Sequence, residues 1–157
     1  MGDNKSDKSL RKLKFQTLDG LMADAQSLAN ADILTHGGWT AAQVFSHVAI
    51  AINASVEGFG ITMPLPMRIF GRLMRNRMIK KGIPAGIKIP EHAKKLFVPP
   101  SDITLDQAME QLTSAVYAAK QKGMHAPSPI FGKLTHDQWV QFHCRHAEMH
   151  FSHLAPA

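Results

Sequence analysis

The chain is poor in the features that mark secreted or membrane-spanning proteins. It has a single cysteine, Cys144, which excludes an internal disulfide and favours a reducing, cytoplasmic compartment. No apolar run approaches the roughly 20 residues that a transmembrane helix needs. The N-terminal segment is polar and lysine-rich and lacks the apolar core of a secretory signal. There is also no convincing strand pattern and no internal repeat.

The composition is that of an ordinary globular domain. Its 157 residues are 45% hydrophobic and 19% charged, enough for one sizeable core and too few for two. We expect residues 1–12 to be a flexible tail and residues 13–155 to form one helical domain.

Apolar residues at helical spacing predict an all-α protein. Helices are expected over residues 13–29, 40–59, 67–81, 104–122 and 135–154. Three of them open with a capping box, in which a threonine and a glutamine three residues later satisfy each other's backbone amides. The three boxes are Thr40–Gln43, Thr104–Gln107 and Thr135–Gln138.

Residues 82–101 contain four prolines and Gly86, which exclude a long helix. A structureless stretch of this length is unusual in a compact domain, so we interpret it as a long crossover or a lid.

Positive charge is concentrated in residues 68–95. This segment has nine basic residues against Glu91 alone, a balance of nine minus one, or +8, while the whole chain is +6. Arg68, Arg72 and Arg75 share one face of the predicted helix and are candidates for contact with an anionic substrate, nucleic acid or acidic lipid. The alternative without a binding function is an ordinary solvent-exposed helix face. Nucleic acid is disfavoured as a partner because no known binding motif is present and aromatic residues do not interleave with the charges.

Four histidines fall on one stripe of the last predicted helix. They are His143, His146, His150 and His153. His146 and His150 are four residues apart, so both rings can converge on one metal ion. A bundle site needs another ligand from a facing helix, and His47 is the histidine inside the second helix. The small residues beside it leave room for a metal and part of a substrate.

Two segments resemble the DinB-like superfamily of metal-binding four-helix bundles. One is Gly38-Trp39-Thr40-Ala41-Ala42-Gln43-Val44-Phe45-Ser46-His47-Val48-Ala49. The other runs from Phe131-Gly132-Lys133-Leu134-Thr135 through Trp139 to His146-Ala147-Glu148-Met149-His150. The order and spacing of these motifs over roughly residues 13–155 look closest to an uncharacterised branch, a domain of unknown function.

This resemblance implies an up-down-down-up bundle, with a short extra basic helix and a long Pro/Gly-rich crossover. It further implies a divalent ion (zinc, nickel or iron) held by His47, His146 and His150, and a homodimer. Relatives include transferases that attach thiols to electrophiles, and some hydrolases and isomerases. His143 and His153 lie outside the usual pattern and are candidates for a role around the ligands.

Three functions follow as hypotheses. The first is a metal-dependent transferase or hydrolase that activates a thiol cosubstrate or water for a small-molecule substrate. The second is a non-catalytic bundle that binds or senses small molecules, and the third is a basic interaction module for anionic partners. Cys144 is interpreted as a buried small hydrophobe and Glu148 as a solvated carboxylate.

Overall fold

The computed structural model describes residues 10–82 and 90–157, and these residues form six helices and two short strands. In chain order the elements are α1 (Leu18–Ala29), β1 (Ile33–Thr35), α2 (Ala41–Glu57), α3 (Leu65–Lys81), α4 (Glu91–Phe97), α5 (Leu105–Lys122), α6 (His136–Phe151) and β2 (Leu154–Pro156). The mostly helical architecture agrees with the predicted all-α class. A four-helix bundle of up-down-down-up order stays a prediction.

All three predicted capping boxes form, and each sets the first residue of its helix. In α2 the Thr40 hydroxyl accepts from the Gln43 amide while the Gln43 side chain accepts from the Thr40 amide. The same reciprocal pair opens α5 at Thr104 and α6 at Thr135. Because α2 and α6 carry the candidate histidines, their first residues fix where those side chains lie along each helix.

The prediction that the first helix starts at residue 13 is wrong, since α1 begins at Leu18. Thr17 is its N-cap and accepts from the Gly20 amide. The preceding residues run along α6 instead: the Phe15 amide donates to the Glu148 carboxylate and the Phe15 carbonyl accepts from Arg145. Helical spacing in residues 13–17 reflects burial of Phe15 against α6, not membership of α1.

The core lies between α1, α2, α5 and α6. The packing of α2 against α5 is the most extensive, while α1 contacts α5 and α6. Phe45, Ile52, Leu112 and Phe151 are among the fully buried side chains at these interfaces. Burying side chains of this size contributes roughly 1.5–3 kcal/mol each before chain entropy is counted.

The two strands are an element that the sequence did not predict. β1 and β2 pair antiparallel with Thr35 opposite Leu154, which ties the loop before α2 to the C-terminal end. The last helix accordingly ends at Phe151, and the backbone turns so that Leu154 is fully buried.

The interpretation of residues 82–101 as structureless is also wrong in part, because α4 occupies Glu91–Phe97. Pro90 is its N-cap and Pro99 and Pro100 follow it closely, so the prolines bound a short helix and do not exclude one. Residues 83–89 of that stretch, and residues 1–9 of the predicted tail, lie outside the described residues. Among the described helices, none has the length and apolar character needed to cross a membrane.

Candidate metal centre

Three imidazoles from two helices meet at one point of the structure. His47 projects from α2, and His146 and His150 project from consecutive turns of α6. One ring nitrogen of each lies within 4.8 Å of the others, the arrangement expected of ligands to a single ion. The sequence could place two of them together by spacing, and packing of α2 against α6 supplies the third.

The separations fit a first-row divalent ion. Nε2 of His47 lies 3.1 Å from Nε2 of His146, and the His150 ring centre is 4.5 Å from that of His47 and 4.7 Å from that of His146. Metal–nitrogen bonds of about 2.0–2.1 Å in a tetrahedral centre place neighbouring nitrogens about 3.3 Å apart. The observed 3.1 Å between His47 and His146 is close to that spacing, and a ring nitrogen of His150 lies within 4.8 Å of both.

The backbone fixes the tautomer of His47. Its Nδ1 lies 2.7 Å from the carbonyl oxygen of Phe97, which can only accept, so Nδ1 carries the hydrogen and donates. In the neutral ring Nε2 then keeps its lone pair, aimed at His146. Metal-binding histidines are usually oriented in this way by a carbonyl or carboxylate.

Aromatic side chains enclose the cluster. Trp39 packs against His47 with ring centres 4.9 Å apart and stacks on His150 at 6.0 Å. Phe142 stacks on His146 at 5.9 Å. His146 Nε2 faces His47 at 3.1 Å and is therefore the nitrogen placed to act as a ligand, while its Nδ1 is buried and has no hydrogen-bond partner among the described residues.

Burial keeps all three rings neutral. Desolvation lowers the pKa of His47 even though its bond to the Phe97 carbonyl raises it. Burial lowers the pKa of His150 to about 4, with His47 and His153 adding to the effect. Burial, and then the neighbouring imidazoles, hold the pKa of His146 well below its usual value. Neutral imidazole is the form that binds a metal ion.

Two cavities border the cluster. The first, of about 290 Å³, is lined by Trp39, His150 and His153 together with the loop before α2. The second, of about 460 Å³, has His146 and Phe142 in its wall and is edged by Arg11, Lys81 and Arg145. Each is large enough for a small molecule to approach one ligand histidine.

The structure separates the two further histidines of the stripe. His143 is fully buried, stacks on Trp139 and has its Nε2 3.0 Å from Ser55 Oγ. Because the Ser55 hydroxyl donates to the Ile52 carbonyl, the His143 ring is the donor in that bond. His153 lies at the strand pair, with Nδ1 3.0 Å from the His36 carbonyl, and lines the first cavity beside His150.

The three candidate anion-binding arginines lie on α3, and neither described cavity includes them. Arg75 donates to the Lys133 carbonyl, and the Arg72 guanidinium lies against Gly132. Arg68 is half-buried. Arg72 and Arg75 thus lie against the loop that precedes α6, and none of the three arginines lines a cavity that borders the imidazoles.

The interpretation of Cys144 is confirmed and that of Glu148 is wrong. Cys144 is buried, and burial raises the pKa of its thiol to about 11, so it is not a nucleophile at neutral pH. The Glu148 carboxylate is largely buried, pairs with Arg145 at 2.7 Å and accepts from the Phe15 amide. The contact of Phe15 with Glu148 joins parts of the chain that are distant in sequence, so the pattern of α6 alone could not predict it.

Phe97 is a site residue that sequence reasoning missed. It contributes a backbone carbonyl, which any residue type supplies, so no side-chain pattern could have marked it. The sequence feature that could have indicated it is the proline-free segment between Pro90 and Pro99, which forms α4 and packs against α2. Trp39, next to the α2 capping box, lines the first cavity.

Comparison with known protein families assigns the chain to a family whose function is unknown. The family described as Protein of unknown function (DUF1569) matches residues 7–157. The chain belongs to this family. None of the curated proteins compared with the chain matches it, and neither does any solved structure. For this DUF1569 protein, function therefore has to be argued from the three imidazoles.

Proposed function

We propose that this DUF1569 protein binds one divalent metal ion through His47, His146 and His150. The observation that carries the proposal is the convergence of three neutral ring nitrogens within 4.8 Å, contributed by α2 and α6. Imidazole donors suit zinc, nickel and iron, the metals expected from the resemblance. The bond from His47 Nδ1 to the Phe97 carbonyl and the buried position of His146 Nδ1 support the use of Nε2 in both rings.

The same proposal includes membership of the DinB-like superfamily of bundles. It rests on the order of the α2 and α6 motifs, and the convergence of the three histidines supports it because that superfamily places its ligands at these positions. The up-down-down-up order of the main helices, the homodimer and a cytoplasmic location are proposed with it.

Three protein ligands leave a coordination position for a reactant, so we propose a metal-dependent transferase or hydrolase. A bound ion of this kind acts as a Lewis acid that lowers the pKa of water or a thiol. The protein contributes three neutral imidazoles, the hydrogen bond that orients His47 and a cavity beside His150. Trp39 would form the wall against which a small-molecule substrate packs.

One observation favours a second function, a non-catalytic binding or sensing bundle. The metal-ligand cluster of the described residues consists of histidines and includes no carboxylate that could serve as a general base. A bound ion would then position a small molecule without turnover.

Elemental analysis of purified protein tests the metal site. We expect about one ion per chain in the wild type and a loss of at least tenfold in His47→Ala and His150→Ala. His36→Ala and His125→Ala are matched controls, since both side chains are outside the cluster, and they should retain the metal. Equal metal content in all five proteins would remove the site.

The open coordination position is tested separately with the cobalt-substituted protein. Adding a small thiol should change the visible spectrum of the ion if a position is free for it. Turnover of thiol with an electrophile would then support the transferase, and thiol binding without turnover would support the binding bundle. A spectrum that no thiol changes would contradict both.

A further inference from the structure

The outer face of α3 exposes large apolar side chains that stay uncovered by the described residues. Leu65 is 62% exposed, Ile69 52%, Phe70 50% and Leu73 80%. Residues 65, 69 and 73 are spaced by four, and residue 70 lies next to them on the helix surface, so they form one stripe. An exposed cluster of four large apolar side chains on one helix is a mark of an interaction surface.

The orientation of this stripe is fixed by the opposite side of α3. Gly71 is buried so closely against the 128–133 loop that an added Cβ would lie 2.7 Å from the Ile130 carbonyl oxygen. Met78 and Ile79 are also buried there. Because α3 is anchored through these residues, the helix cannot turn its apolar stripe into the core without losing that contact.

Basic side chains accompany the stripe, and α3 contains no acidic residue. Arg72, Arg77, Lys80 and Lys81 are all exposed. On a helical projection residues 77, 80 and 81 continue the outward arc of the stripe toward the C-terminal end of α3, and residue 72 flanks it. The surface is therefore apolar at its N-terminal half and strongly positive at its C-terminal half.

We propose that α3 is an interfacial helix that docks on an anionic lipid surface. The apolar stripe of Leu65, Ile69, Phe70 and Leu73 enters the boundary between headgroups and acyl chains, while the neighbouring basic residues meet the phosphates. An amphipathic helix with apolar side chains on the inserting face and Lys/Arg beside them has the chemistry of such a site.

Charge complementarity favours lipid over the other occupants. A second copy of the chain would bring two basic helices against each other, and their repulsion opposes pairing. Nucleic acid would satisfy the charges but would leave Leu65, Ile69 and Leu73 against polar phosphates and sugars. An anionic membrane satisfies both halves of the surface.

Co-sedimentation of the full chain with vesicles tests this proposal. We expect binding to vesicles of phosphatidylcholine with 30% phosphatidylglycerol, weak binding to phosphatidylcholine alone and weakening by added salt. Ile69→Ser/Leu73→Ser should reduce binding more than tenfold, because two inserting side chains are lost. Arg72→Gln/Arg77→Gln should reduce it roughly fivefold for each removed charge.

Two variants on α5 serve as matched controls. Tyr117→Ser removes a similarly exposed apolar side chain, and Lys120→Gln/Lys122→Gln removes the same number of charges from another surface. Both should bind vesicles like the wild type. Circular dichroism checks that all variants are folded, which is expected because every substituted side chain lies at the surface.

Several results would overturn the proposal. One is equal retention of the wild type by anionic and neutral vesicles, and another is equal loss of binding in the α3 and α5 variants. A third is a dimer in sedimentation that Ile69→Ser/Leu73→Ser converts to monomer, without vesicle binding. The last is binding of duplex DNA that depends on Arg72 and Arg77 while vesicles are ignored.

Discussion

At the scale of single residues, the pair of Arg145 and Glu148 shows how the N-terminal segment is held on α6. Both side chains are largely buried, and each also binds the backbone of Phe15. The pair therefore satisfies two backbone polar groups of a segment that is itself neither helix nor strand.

Removing Glu148 is expected to destabilise the protein because it leaves a buried guanidinium without its partner. Glu148→Ala should lower the free energy of unfolding by about 3–5 kcal/mol. Glu57→Ala, which breaks the exposed pair with Lys122, should cost at most about 1 kcal/mol. Urea denaturation of both variants measures the difference. Similar decreases in the free energy of unfolding would show that the Arg145–Glu148 pair contributes no more to stability than an exposed ion pair.

A second residue-scale prediction concerns His143 in metal-free protein. Burial lowers the pKa of His143 to about 3, while the unfolded chain has the usual 6.5. Between these values only the unfolded state binds the proton, so stability is full above pH 6.5 and falls as the pH drops towards 3. The contribution is up to about 1.4 kcal/mol for each pH unit.

Urea denaturation between pH 7 and 4, with a chelator present, measures this slope. In His143→Gln the free energy of unfolding should fall less steeply with decreasing pH than in the wild type. The difference in slope should correspond to at most one proton fewer taken up on unfolding, whatever the stability of the variant at pH 7. Parallel curves for the two proteins would contradict the assignment of that proton to His143.

At the scale of elements, α3 depends on a glycine that no helical pattern would mark. The side chain and backbone of Ile130 occupy the space that a Cβ of Gly71 would need. Elsewhere in a helix a glycine is simply unfavourable, so its presence in α3 is explained by this close approach.

Gly71→Ala is expected to lower the free energy of unfolding by about 1–3 kcal/mol, because backbone atoms of the loop must move to admit the methyl group. Gly20→Ala is the matched control: it is also helical, but its Cβ would meet only Thr17 Oγ1 at 3.5 Å. That variant should be neutral or gain up to about 1 kcal/mol. Thermal or urea unfolding distinguishes them, and equal effects would mean that α3 is loosely docked.

Most elements were predictable because their signals are local. A capping box needs residues only three apart, and the α2, α5 and α6 boxes were all found. The strand pair and the true start of α1 were missed because both depend on contacts with the end of α6, more than a hundred residues away.

At the scale of the whole molecule, the proposed metal would link parts of the chain that are distant in sequence. His47 and His146 are 99 residues apart, and α4 contacts the cluster through the Phe97 carbonyl, which accepts from His47. An ion bound by both helices would stabilise the folded state only, since the unfolded chain does not hold the three rings together.

Metal should therefore raise the melting temperature of chelator-treated protein. At a free zinc concentration of 100 times the dissociation constant, the expected stabilisation is about 2.7 kcal/mol. Differential scanning calorimetry should show this increase in the wild type and in His36→Ala, and its absence in His150→Ala. A rise of equal size in His150→Ala would place the ion elsewhere.

The sequence by itself determined the helical class, the starts of three helices and the pairing of His146 with His150, because periodicity and capping act over a few residues. Only the tertiary structure decided that His47 meets them, that Phe97 orients it and that Glu148 is buried. These facts depend on how α2, α4 and the N-terminal segment pack on α6. The exposure of the apolar stripe of α3 likewise follows from the docking of Gly71 on the opposite side.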